Sequence, residues 1–64
     1  MLKSHFIEFN YNGTHFIYNI DLNELEKFKN LKDGESIYFT DEFGFRKSFK
    51  RGNMKDVVIT RRDD

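Results

Sequence analysis

Apolar and polar residues alternate most clearly in the first third of the chain. In residues 5–20, HFIEFNYNGTHFIYNI, two runs of period two flank Asn12-Gly13. A type I′ turn needs positive φ at both central residues, which Asn and Gly tolerate best, so the pair predicts a two-residue hairpin loop. That loop sets Tyr11 opposite Thr14, Phe9 opposite Phe16 and Ile7 opposite Tyr18. These side chains share one face with Ile20. Phe6, Glu8, Asn10, His15, Ile17 and Asn19 share the other, because strand side chains alternate with period two.

The period then changes. In residues 21–31, DLNELEKFKNL, apolar side chains recur at Leu22, Leu25, Phe28 and Leu31. This predicts a helix with one narrow apolar stripe, enough to lie across a sheet. Asp21 is a good N-cap, and Glu24 three residues on completes a capping box. Asp33-Gly34 is expected to end the helix, with Gly34 taking a left-handed exit.

Alternation returns in residues 35–51. Asp41-Glu42-Phe43-Gly44 fits a type I turn, with a left-handed Gly44 forming a bulge. The register places Ile37 opposite Phe49 and Phe39 opposite Lys47, with Phe45 on the same inner face. Tyr38, Thr40, Arg46, Ser48 and Lys50 point the other way. A last strand, residues 55–61 (KDVVITR), follows Gly52-Asn53. A three-residue loop would pair Phe49 with Val57 and Lys50 with Asp56. A two-residue loop would set Phe49 against Asp56, so the first register is expected. The order ββαβββ implies one small α+β domain over residues 1–64, a mostly antiparallel sheet free to curl towards a barrel, with one helix on one face. The expected core is Ile7, Phe9, Phe16, Tyr18, Ile20, Leu25, Phe28, Ile37, Phe39 and Phe49.

Size tightens this picture. A 64-residue chain buries only about 60% of its unfolded surface and holds a margin of a few kcal/mol. Cysteine is absent, which removes disulfides and thiolate zinc sites, so the eight Phe and three Tyr must supply the packing. His5 and His15 fall on opposite faces of the first hairpin, an arrangement that disfavours a shared metal. No serine has a histidine and an acid arranged around it, and Gly13, Gly34, Gly44 and Gly52 are scattered turn glycines rather than a phosphate loop. The expectation is a non-enzymatic protein with no catalytic residue, cofactor or metal. The longest aliphatic run is Val57-Val58-Ile59, and no apolar run of signal length follows Lys3, so a cytoplasmic location without a membrane span is expected. Ala, Gln, Pro, Cys and Trp are absent while Lys, Asn, Ile and Phe are common, a usage that suits an AT-rich bacterial or phage genome.

Net charge is zero but segregated. Residues 21–42 carry seven acids against three bases, and residues 45–62 carry seven bases against Asp56 alone. A basic ridge of Arg46, Lys50 and Arg51 is expected on the second hairpin, with Glu24 and Glu26 on the opposite side of the molecule. Two poles of that kind would steer and orient a charged partner. The stretch EFGFRKSFKRGNMK has two readings. In one, strand alternation alone turns Phe45 and Phe49 inward and leaves the bases solvated. Lys47 resists this, since it lies on the inner face, where it must snorkel to the margin or be re-aimed by a bulge. In the other, Phe43 and Tyr38 are stacking platforms beside bases, as in single-strand nucleic-acid binders. No glycine–aromatic ribonucleoprotein motif is present, and the zero net charge argues against long-range attraction, so nucleic acid is the alternative. The preferred reading rests on coverage. One helix covers one sheet face, leaving Phe6, Ile17 and Tyr38, with Val58, on the other as a protein interface. That interface would serve a homodimer, or a modulator or inhibitor docking on a larger protein.

Overall fold

The computed structural model describes residues 3–62. Its elements are β1 (His5–Tyr11), β2 (Thr14–Ile20), α1 (Leu22–Lys29), β3 (Ser36–Thr40), β4 (Arg46–Lys50) and β5 (Met54–Arg61), with a 3-10 turn at Arg51–Asn53 before β5. The strands form antiparallel sheets that do not close into a barrel: a three-stranded sheet in the order β2-β1-β5 and a two-stranded sheet of β3 and β4.

Both hairpins adopt the expected register. Tyr11 pairs with Thr14, Phe9 with Phe16 and Ile7 with Tyr18, while Ile37 pairs with Phe49 and Phe39 with Lys47. Asn12 and Gly13 have φ of 51° and 81°, the positive values a type I′ turn requires. The capping box at α1 is complete. Glu24 N donates to Asp21 Oδ1 at 2.8 Å and Asp21 N to Glu24 Oε1 at 3.0 Å. The helix ends earlier than its sequence suggests, at Lys29. Asn30 is the C-cap, its backbone N–H donating to Glu26 O, so Gly34 is not the exit and has no left-handed φ.

The last strand does not return along β4. It pairs with β1, from His5 opposite Arg61 to Tyr11 opposite Met54. The reason lies at the end of β4, where the backbone donors are already engaged. Lys50 N donates to the Tyr11 hydroxyl at 3.0 Å, Arg51 N to Glu35 O at 2.9 Å and Gly52 N to Asp33 O at 3.0 Å. The 3-10 turn built on these bonds redirects the chain towards β1. Gly52 is tightly placed, since a Cβ there would sit 3.1 Å from the Asp33 carbonyl oxygen. The β1–β5 register shifts between Glu8 and Asn10. Asp56, at φ 53°, sits in this bulge, and Asn10 Nδ2 donates to its carboxylate at 3.1 Å.

The core lies between the inner faces of the two sheets. Ile7, Phe9, Tyr18 and Ile20 come from the first hairpin, Ile37, Phe39 and Phe49 from the second, and Leu25 and Phe28 from α1. Phe16 is only half-buried at its margin, and Met54, which no alternation pointed to, is buried in its place. Leu22 opens the helix and stays exposed. Phe49 is the hub. Its ring lies 4.9 Å from Phe9, 4.9 Å from Tyr11 and 5.0 Å from Phe16, all edge-on, the geometry aromatic quadrupoles favour. Lys47 keeps the regular register and snorkels, with its ammonium 5.8 Å above the half-buried Phe16 ring.

Phe49→Ala should therefore cost roughly 3–5 kcal/mol, a large part of the stability of so small a domain. Urea unfolding followed by far-UV circular dichroism checks this. A loss below about 1 kcal/mol would mean that the two sheets do not depend on this ring.

Candidate interaction surfaces

Because the two sheets face each other, their outer faces point in opposite directions. The outer face of β2-β1-β5 carries Ile17, Glu8 and Val58 in one row, since Glu8 pairs with Ile17 on one side and Val58 on the other. Phe6 lies two residues along β1, on the same face. Ile17 and Val58 are 57% and 51% exposed, and the Arg62 guanidinium stands 5.4 Å over the Phe6 ring. A polar string borders this patch. His15 Nε2 lies 3.6 Å from Glu8 Oε1 and His15 Nδ1 3.0 Å from Asn10 Oδ1. His5 is elsewhere, with Nδ1 2.7 Å from Ser4 Oγ.

Tyr38 is not part of that patch. It sits on the outer face of β3-β4, so the structure brings Phe6 and Ile17 together with Val58 and places Tyr38 on the opposite side. Around Tyr38 the pairing sets Ser36 opposite Lys50, Tyr38 opposite Ser48 and Thr40 opposite Arg46, all exposed. The Arg46 guanidinium lies 4.5 Å from the centre of the Tyr38 ring. Arg46 and Lys50 thus share one face. Arg51 leaves it, because the 3-10 turn directs its guanidinium over Phe28, 4.8 Å from the ring centre.

The acids and bases are not on opposite sides either. An open groove of about 1020 Å³ runs between α1 and the β3-β4 outer face, lined by Glu24, Glu26 and Lys27 from the helix and by Tyr38, Thr40 and Arg46 from the sheet. The helix lies beside the second hairpin rather than behind the sheet, which places Glu26 across the groove from Arg46.

The β3–β4 turn supplies a third exposed feature. Phe43 and Phe45 are 78% and 72% exposed. Phe45 therefore does not join Phe49 in the core. Its backbone closes the turn instead: Asp41 N donates to Phe45 O at 2.9 Å, and Asp41 Oδ1 accepts from Phe43 N and Phe45 N, each at 2.9 Å. Gly44, at φ 89°, provides the left-handed residue. Asp and Gly at their turn positions pointed to this loop. Whether another element covers Phe45 is not a local property.

The acids are largely occupied by the fold. Glu24 holds Lys3 at 2.7 Å while capping the helix, Asp41 closes its turn, Glu35 Oε1 accepts from Lys32 N at 2.9 Å, and Asp56 accepts from Asn10. Among the described residues, none of Arg46, Lys47, Lys50, Arg51, Lys55 and Arg61 forms an ion pair. No group of three or more metal-ligating side chains occurs among the described residues, and no helix there is long and apolar enough to cross a membrane. No protein family, curated protein or solved structure matches the chain.

Two consequences are measurable. Asp41→Ala removes the acceptor of two turn N–H groups and should cost about 1 kcal/mol, with faster amide exchange at Phe43 and Phe45. Unchanged exchange would show that Gly44 alone holds the loop. Burial raises the Tyr18 phenol above its ordinary value of 10.0, and the Asp41 carboxylate adds to this. The native state therefore favours the neutral phenol. That contribution is complete below pH 10.0 and is lost as pH rises through the native value. Tyr18→Phe should flatten the alkaline limb of a stability-versus-pH curve, and an identical limb in both proteins would remove Tyr18 as its source.

Proposed function

We propose that the protein is a small non-enzymatic binding protein that works by protein–protein contact through the outer face of β2-β1-β5. The observation that carries this reading is the row of Ile17 and Val58 about Glu8 with Phe6 beside it. This is an apolar patch on a sheet face that no element among the described residues covers, bordered by the Glu8–His15–Asn10 string. Interfaces of this kind pair an apolar centre with a polar rim. The contact is made either with a second copy or with a larger protein that this chain modulates or inhibits, in a bacterial or phage setting and in the cytoplasm.

A Phe6→Ser, Ile17→Ser double variant separates binding from folding, because Ile17 is exposed and Phe6 is not part of the buried core. Sedimentation velocity of the pure protein, with affinity capture from host extract in parallel, is the check. The unmodified chain should sediment as a dimer or capture one stoichiometric partner, and the variant should do neither while keeping its circular dichroism spectrum. A monomer without a partner, or a variant that behaves like the parent, would remove this face as the working surface.

A further inference from the structure

The two outer faces differ in chemistry, and the second one fits a different ligand. On the β3-β4 face Tyr38 is ringed by the hydroxyls of Ser36, Thr40 and Ser48, with Arg46 and Lys50 at opposite ends of the paired strand. Tyr38 is 57% exposed and Arg46 is stacked over it. Neither base has an ion-pair partner among the described residues. We infer that this face is a binding site for single-stranded nucleic acid, in which a base takes the place of the Arg46 guanidinium over the Tyr38 ring while Arg46, so released, and Lys50 hold the phosphates on either side of it.

Charge complementarity argues for this ligand. Glu24, Glu35, Asp41 and Asp56 are engaged as acceptors in the helix cap, a loop, the turn and the bulge, and Glu26 stands across the groove without an ion pair to Arg46, so the outer positions of β4 stay cationic although the chain as a whole is neutral. An exposed aromatic ring between unpaired cations is the combination that holds single strands: every base has a stacking face, and every phosphate a charge. The groove beside this face sets the orientation. Its helix wall carries Glu24 and Glu26, which repel phosphates, so the backbone should run along β4. The base edges then face the groove, where Glu26, Asn23 and Asn30 can accept hydrogen bonds from exocyclic amines. The site is independent of the Phe6–Ile17 face and survives if that face proves idle.

Fluorescence anisotropy with a dye-labelled oligodeoxycytidylate of about ten nucleotides, whose bases carry the exocyclic amine, tests this, titrated at about 50 and 200 mM salt. The full chain should bind the strand, more tightly at the lower salt. Tyr38→Leu should weaken binding roughly ten-fold by removing the stacking surface, while Tyr38→Phe, which keeps the ring, should bind like the parent. An Arg46→Gln, Lys50→Gln double variant should lower the slope of log affinity on log salt by about 1–2. Ser48→Glu, which leaves Tyr38 intact and sets a carboxylate opposite it, should abolish binding. Absence of binding at the lower salt overturns the inference. So does binding by Tyr38→Leu equal to the parent's, or displacement by heparin with no dependence on Tyr38. The last result would reduce the face to a general contact for polyanions.

Discussion

The packing of Phe49 against Phe9 and Tyr11 is the contact on which the rest of this structure depends. It joins the two hairpins through their inner faces, and each hairpin alone would be an unsupported two-stranded ribbon. The same contact brings the Tyr11 hydroxyl to the free edge of β4, where it accepts the Lys50 amide hydrogen. That single bond makes aromatic packing and backbone connectivity one problem. Once β4 ends on Tyr11, the chain cannot continue along β4, and the 3-10 turn delivers β5 to the other edge of β1. β1 then has a partner on each side, which is why Ile7 and Phe9 are fully enclosed.

Two opposed sheets have two outer faces, and these carry different chemistry. One presents Phe6, Ile17 and Val58 around Glu8. The other presents a tyrosine among hydroxyls and guanidinium or ammonium groups. A single sheet backed by a helix would have placed all of these on one surface, as the alternation taken alone suggests. The division follows from the pairing of β5 with β1, which leaves β3-β4 as a separate layer. The α1 helix contributes Leu25 and Phe28 to the core from beside the second hairpin. That is why Arg46, instead of standing at a distant pole, shares a groove with Glu24 and Glu26.

Features decided within a few residues were legible in the sequence. Asn12-Gly13 fixed a register, Asp21 and Glu24 marked a helix start, and Asp41 with Gly44 marked a turn, because each rests on local sterics and hydrogen bonding. The inner residues of both hairpins followed from period two once those turns were placed. What stayed hidden was non-local. Alternation says which way Val57 and Val58 point relative to each other, but not whether β4 or β1 lies beside them. Pairing the two ends of the chain, His5 with Arg61, has no local signal. Phe45 shows the same limit. Its parity matches that of Phe49, yet it lies in the turn before β4 begins and stays exposed. Of the candidate surfaces, Phe6 with Ile17 and Arg46 with Lys50 were readable because each pair needs only one hairpin. Tyr38 has other neighbours than alternation alone suggests, because its placement needs both.

The neutral net charge is the least informative number in this chain. It counts Glu24, Asp41, Glu35 and Asp56 equally with Arg46 and Lys50, although the first four are engaged as acceptors at a helix cap, a turn, a loop and a bulge. A carboxylate that accepts backbone or side-chain hydrogen bonds keeps its charge, but its geometry is committed and it cannot swing to meet a base on another element. The bases of β4 and β5 have no such duties, because Lys and Arg cannot accept hydrogen bonds and so cannot close turns or cap helix N-termini. Local structure therefore draws acids into the fold and leaves bases at its surface. For a partner at contact distance, within a screening length of about 10 Å, the field is set by the nearby unpaired groups rather than by the sum over the chain. That field differs between the two outer faces, and it is the physical ground for assigning them different ligands.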